Sequence, residues 1–255
     1  MSGLNVAYDS LIGFAYSGTK GGLVIYVADD PGVTTGMCEQ DTRGFAVMSD
    51  MVMLEPATVQ ECYDYTKFAF ELSEAIGVPV FLRGVTNVSQ SHALLNYEDR
   101  VLPADKEPVL EKDITKYTKA GSAICTAQHK ALIASFAKAE ELIRANGLNE
   151  LKLAAKGGLG VIAAGVTKQY LDEALEIANR EGAGIAAEDL STLKLAATLP
   201  FPTLELEAIL KNCSVVLVVE ELEPHLEQEL YYLAYKLGLQ TKIIGKKDGT
   251  YSRLG

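Results

Sequence analysis

The side chains best suited to chemistry cluster in one short stretch, Cys38-Glu39-Gln40-Asp41-Thr42-Arg43. It offers two carboxylates as proton acceptors, a neutral amide, and a guanidinium whose fork matches a carboxylate or phosphate. Arg83, further along, offers a second guanidinium of the same kind. One reading makes this loop one wall of an active site. A solvated surface turn would carry similar letters. What precedes the stretch leaves both readings open. Leu23–Ala28 is an unbroken apolar run of strand length, stopped by Asp29-Asp30-Pro31-Gly32. A fully buried parallel strand ending in a turn is where α/β sheets present their binding groups.

Other chemistries find less support. Cys38, Cys62, Cys125 and Cys213 are scattered with no C-x-x-C pair, so spacing yields neither a zinc site nor an iron–sulfur cluster, and no metal site is expected. Free thiols in a reducing cytoplasm account for them. Cys38 has no nearby histidine to activate it as a nucleophile. His92, His129 and His225 lack metal-ligand spacing and read as surface or connector residues. Gly158-Leu159-Gly160 leads into a strand rather than out of one, which is the wrong side for a phosphate turn. The acid run Glu220–Glu223 before Pro224 fits a helix start, with an interdomain contact as the alternative.

The elements that must position these residues follow from periodicity. A helix over Leu4–Ser17 leads into the first strand. Thr58-Val59-Gln60-Glu61 is a capping box opening a helix with Cys62, Tyr65, Ala69, Leu72 and Ile76 on one face and Gly77 as its stop. Val78–Arg83 is the next strand. Leu102–Lys119 reads as an extended connector and Ala127–Asn146 as a helix. Strands over Leu159–Ala163, Leu190–Leu195, Val215–Val219 and Thr241–Ile244 alternate with helices over Lys168–Asn179, with Leu171, Ala174, Leu175 and Ala178 inward, over Leu204–Leu210, and after Pro224 with Leu226, Leu230, Leu233 and Leu237 inward. Such alternation predicts an α/β fold of two parallel-sheet units. Their division is 1–92 for the first unit, 93–156 for a connector with a helix, and 157–255 for the second. A net charge of −11 excludes electrostatic binding to nucleic acid or an anionic membrane surface. The apolar runs are strand-sized and no targeting segment is visible, which predicts a soluble cytoplasmic protein.

Collinear blocks then carry a resemblance. Lys20-Gly21-Gly22-Leu23-Val24-Ile25, Ala28-Asp29-Asp30-Pro31-Gly32, Glu39-Gln40-Asp41, Met53-Leu54-Glu55-Pro56 and Pro79-Val80-Phe81-Leu82-Arg83 occur in order. Leu199-Pro200-Phe201-Pro202 and Val218-Val219-Glu220-Glu221-Leu222-Glu223-Pro224 follow. The chain resembles the alpha subunits of indolepyruvate:ferredoxin oxidoreductases, within the thiamine-diphosphate-dependent 2-oxoacid:ferredoxin oxidoreductases. This resemblance implies a partial pyrimidine-binding-type domain followed by a transketolase-C-terminal-like domain. It also implies the family's reaction, oxidative decarboxylation of a 2-oxoacid to an acyl-CoA with electrons passed to ferredoxin. By the same resemblance Glu39, Gln40, Asp41, Arg43 and Arg83 are the candidates to line a cofactor or substrate cleft, with Arg43 or Arg83 as the partner of a substrate carboxylate. The family's thiamine-activating glutamate corresponds to a segment before Met1, and its magnesium–diphosphate pattern and cluster cysteines to segments after Gly255. The resemblance thus implies thiamine diphosphate and magnesium only in a complete assembly, in a homo- or hetero-oligomer with a thiamine-diphosphate-binding chain, and none bound by this chain alone. Alone it is expected to be inactive. The alternative is a non-catalytic truncated paralogue serving as an assembly or interaction module. Within the loop, Thr34 stands where the family has histidine and Thr35-Gly36 where it has a serine pair, so the resemblance does not specify which 2-oxoacid.

Overall fold

The computed structural model describes residues 2–34, 36–98, 107, 109–110, 112–155 and 157–254. In chain order, α1 (Ser2–Ser17) leads into β1 (Val24–Asp29), α2 (Arg43–Ser49), β2 (Val52–Leu54), α3 (Val59–Ile76) and β3 (Val80–Val85). Two single-turn helices, α4 (Thr86–Ser89) and α5 (Ile114–Tyr117), precede the long α6 (Ser122–Ala145). Then come β4 (Glu150–Lys152), β5 (Gly158–Ala164), α7 (Thr167–Arg180), β6 (Leu190–Leu195), β7 (Ala197–Leu199), α8 (Thr203–Asn212), β8 (Cys213–Val219), α9 (His225–Leu237) and β9 (Lys242–Ile244). Of the expected extended connector over Leu102–Lys119, residues 102–106, 108 and 111 lie outside the described residues, and Ile114–Tyr117 is helical rather than extended. No described helix is long and apolar enough to cross a membrane.

The strands form two sheets, in the orders β1-β3-β2-β7 and β4-β6-β5-β8-β9. β1, β3 and β2 run parallel, as do β6, β5, β8 and β9. The α/β class with parallel sheets is thus as the sequence indicated. Two antiparallel edge strands, β4 and β7, were not legible. Each has three residues, too few for a periodic signal. β7 has a topological consequence: it pairs Leu199 with Met53 and Ala197 with Leu54 of β2. A strand from the second half of the chain therefore completes the first sheet. Glu55 N–H also donates to the Ala196 carbonyl at 2.7 Å, so the two sheets are stitched by backbone at this point.

Local sequence explains how the main elements start and stop. Thr58 Oγ1 accepts from the Glu61 N–H at 3.1 Å, meeting one orphan donor of α3, and the Glu61 carboxylate accepts from the Ala57 N–H, just before the cap, at 2.6 Å. Gly77 (φ +72°) ends α3, and Ala69, Leu72 and Ile76 are buried against the first sheet. Gly238 (φ +67°) ends α9, whose Leu226, Leu230 and Leu233 enter the second core. On α7 the expected inward face narrows: Leu171 is buried, Leu175 and Ala178 are half-buried, and Ala174 is exposed. β1 also differs from expectation. It is an edge strand with Val27 and Asp29 buried and Tyr26 57% exposed, because a single neighbour, β3, covers it. β3, flanked on both sides, is buried at all six residues.

Candidate functional site

The carboxyl ends of the two sheets point at each other. Asp29 ends β1, Glu55 follows β2, and Glu220 and Glu221 follow β8. Gly165, just after β5, adopts φ +57°, and a Cβ there would stand 3.2 Å from Glu55, so glycine lets the two sheets close to contact. Where a parallel sheet commonly meets a ligand, each sheet here meets the other.

Two arginines fill this joint. Arg43 opens α2. Its Nε and Nη2 donate to the Asp41 carboxylate at 2.9 and 2.7 Å, and Nη1 donates to Glu220 at 2.8 Å. Nη2 also reaches the main-chain carbonyls of Glu221 and Glu223. Arg83, on β3, donates from Nε to Asp29 at 2.6 Å and from Nη1 to Glu55 at 2.5 Å, with Glu221 at 3.9 Å. Each arginine is 3% exposed. Helix α2 lacks a side-chain cap because the Thr42 hydroxyl donates to Asp29 instead, as does the Thr42 N–H. Thr198 of β7 donates to Glu55. Glu220 accepts from the N–H groups of Leu226 and Glu227, at 3.0 and 2.9 Å, and thereby starts α9. The acid run is consequently both a helix-start device and a contact between the two sheets' ends. A second link lies farther out, where Lys168 of α7 donates to both Glu61 oxygens at 2.8 and 2.9 Å. Arg83 Nη2 and Asp29 Oδ1 are buried without a hydrogen-bond partner among the described residues.

Electrostatics follow from this packing. Burial opposes charge at Asp41, but the Arg43 guanidinium beside it prevails and holds the carboxyl well below the usual range. Glu55 is likewise lowered, by Arg83 and then Arg43, against its desolvation. Both arginines are desolvated yet pushed up: Asp41 is the largest opposing influence at Arg43, and Glu55 at Arg83. At Glu220 burial wins and the carboxyl is raised. Glu221 is pushed up to about 6, first by burial and then by the Glu55 charge, against the pull of Arg83. His225, at the start of α9 with Nε2 3.8 Å from Asp41, is lowered by burial and by Arg43. It is a half-buried joint residue rather than a surface one.

The five residues singled out in the sequence therefore divide. Asp41, Arg43 and Arg83 belong to the joint. Both guanidinium groups are turned inward: that of Arg43 is engaged at every nitrogen, whereas Arg83 Nη2 is buried without a partner among the described residues. Glu39 and Asp41 line a cleft of about 430 Å³ with Leu222, Glu223, Arg253 and Leu254. Glu39 also accepts from the Gly32 N–H at 3.1 Å and folds the loop back on itself. Gln40, half-exposed, makes one long contact to Cys38 Sγ at 3.8 Å. Asp29, Glu55, Thr198, Glu61 and Lys168 were not singled out as site residues. Their signal was present only in Asp29 and Glu55 standing at the ends of apolar runs.

Thiamine diphosphate with magnesium is the cofactor that the resemblance implies. The described residues do not fit it. No group of three His, Cys, Asp or Glu side chains among them could hold a metal ion. Glu55 and Glu220 are taken up by guanidinium groups, the Thr198 hydroxyl and helix N–H donors, and Asp29 Oδ2 by Arg83 and Thr42, with Asp29 Oδ1 left without a partner among the described residues. No catalytic step through the cofactor is assigned to this chain.

No family model matches the chain. It is 37% identical over 253 residues to the indolepyruvate oxidoreductase subunit IorA of Methanothermobacter thermautotrophicus, a match covering 97% of this chain and 39% of that protein. It is 34% identical over 248 residues to IorA of Pyrococcus abyssi, covering 96% of this chain and 37% of that protein. The chain thus spans well under half the length of these relatives. Among solved structures, the 2-oxoglutarate:ferredoxin oxidoreductase of Magnetococcus marinus superposes with a TM-score of 0.67 at 16% identity, over 96% of this chain and 48% of that one. That likeness establishes the shared fold.

Proposed function

We propose that this chain, a relative of the indolepyruvate oxidoreductase IorA subunits over nearly its whole length, is a split or partial subunit of a 2-oxoacid:ferredoxin oxidoreductase. In a complete assembly the reaction is oxidative decarboxylation of an indolepyruvate-like 2-oxoacid to its acyl-CoA, with electrons passed to ferredoxin. The collinear match over 97% of the chain is the observation that carries this reading. The chain's share is a rigid two-sheet scaffold and one cleft wall, built from Glu39, Gln40 and Asp41 and anchored from behind by Arg43 and Arg83. Thiamine diphosphate and magnesium are held by residues of a partner chain, and the complex is soluble and cytoplasmic.

Purification of the tagged chain from its native cells tests this, with indolepyruvate-dependent viologen reduction assayed in the presence of coenzyme A, thiamine diphosphate and magnesium. The isolated chain is expected to show no activity, and the complex recovered with it to be active. Turnover by the isolated chain would sink the split-subunit reading. Recovery of a complex without activity would favour an assembly or interaction module.

A further inference from the structure

Away from the joint, beside the amino end of β3, lies a cavity of about 630 Å³. It is walled by the last turns of α1 and α3, by α5, and by the first half of α6. Most of its lining is apolar, supplied by Ala15, Ile76, Val78, Ile124, Ala127 and Leu132. Its size suits a small organic molecule, whose pockets run from about 300 to 1,000 Å³. None of the described residues that line it is acidic, whereas Lys116 is among them.

One polar side chain builds the rim. Gln128, 8% exposed, donates its amide nitrogen to the carbonyls of Thr115, Lys116 and Thr118 at 3.0, 2.9 and 3.1 Å, which fixes α5 against α6. Its Oε1 accepts from Lys119 Nζ at 2.8 Å, and the same ammonium donates to Ser17 Oγ at 2.7 Å. Lys119 Nζ also stands 5.7 Å from the centre of the Tyr16 ring. Gln128, Ser17 and Tyr16 all line the cavity. An ammonium carries three donors. One Lys119 N–H and the Ser17 hydroxyl proton therefore remain without an acceptor among the described residues. Neither Lys116 nor Lys119 is ion-paired there. Asp113, at the head of α5, is turned to the N–H groups of Thr115 and Lys116 instead.

We propose that this cavity binds an amphipathic monocarboxylate, its carboxylate on Lys119, Ser17 and Lys116 and its apolar body between α1, α3 and α6. Two features choose that chemistry. The apolar walls favour a hydrocarbon or aryl body, which contact with them removes from water. Uncompensated ammonium groups, in a chain of net charge −11, favour an anionic head over a neutral or cationic one. The spare Lys119 N–H and the Ser17 hydroxyl meet the carboxylate with charge-assisted hydrogen bonds. The site is separate from the joint and independent of the reaction proposed above. Val78 precedes β3 at the cavity, whereas Arg83 lies toward the carboxyl end of that strand.

Calorimetric titration of the full chain with octanoate and with phenylacetate tests this for an alkyl and an aryl body, and residue-resolved amide NMR locates each. At least one acid is expected to bind one-to-one with a Kd of about 100 μM or tighter, shifting the amides of Ser17, Gly77 and Gln128. The tighter of the two identifies the kind of body that the walls accept. The matching alcohols, octanol and phenylethanol, keep the body and lose the charge, and should bind about tenfold more weakly. Lys119→Met should weaken the acid about tenfold and leave the alcohol unchanged, a split that a merely structural role for Lys119 does not produce. Lys116→Met shows the same split should Lys119→Met fail to fold. Ala127→Trp, at an exposed position of α6, fills the cavity and should abolish binding of acid and alcohol alike. Four results overturn the proposal: no saturable binding of either acid below about 5 mM, shifts confined to amides outside the cavity, an alcohol as tight as its acid, or full affinity in a folded Ala127→Trp.

Discussion

Asp41 and Arg43 stand one to four residues from Glu39 and Gln40, yet the two pairs occupy different physical worlds. On the inner side, Arg43 is 3% exposed and meets two carboxylates and two carbonyls drawn from both halves of the chain. On the outer side, Glu39 and Gln40 are half-exposed, and Met37 and Cys38 are exposed. Charge buried at the joint is useful only while its partner stays in place; charge on the lip is solvated whatever its neighbours do. The same polar letters thus supply scaffold at one end of the loop and an adaptable surface at the other.

The largest effect that would sharpen this contrast comes from Arg43→Ala. It leaves Asp41 and Glu220 buried without their cation and should cost about 3–5 kcal/mol in denaturant unfolding. A loss under about 1 kcal/mol would mean that the joint is solvated, and the contrast would fail. Arg83→Met strands Asp29 and Glu55 in the same way, with a loss of similar or slightly smaller size, because Arg83 lacks main-chain carbonyl partners. Glu221 comes next. Its folded carboxyl holds a proton more tightly than the unfolded one, so its contribution is full below 4.5 and is lost as pH rises through about 6. Glu221→Gln should therefore be more stable than the parent above that pH, by about 2 kcal/mol, with the difference vanishing in acid; a pH series of unfolding curves reads this directly. Asp41 acts with the opposite sign. Its depressed carboxyl contributes stability above the ordinary carboxylate range, lost only as pH falls through that depressed value. The smallest effect is on the lip: Glu39→Ala and Gln40→Ala should shift stability by no more than about 0.5 kcal/mol each. A larger shift would place the lip inside the scaffold.

The sequence revealed most where a local pattern was long. α3 could be read from its capping box and stripe, and α9 from Pro224, four leucines and Gly238. Parallel sheets followed from the alternation of strand and helix. Legibility failed where partners were remote or elements were short. β7 has three residues and joins the first sheet from the second half of the chain, which no periodicity encodes. α2 was missed because the hydroxyl of Thr42, the residue before it, is spent on Asp29. The apolar run of β1 read as fully buried, although apolar letters alone cannot tell a covered strand from an open edge. At the site, clustering located Asp41 and Arg43 but not their orientation. Which way a guanidinium turns depends on Glu220, 177 residues away.

That separation also bears on how the molecule acquires its structure. During folding, Arg43 can find Asp41 at once, two residues away, but Glu220 only after a loop of 177 residues has closed. Contacts of such long sequence separation exact their entropy before they return any energy. The joint is therefore expected to form late, after each sheet has gathered its own strands. Until then the carboxyl ends of both sheets are open, and the nascent chain holds its two halves apart with their charges still in water.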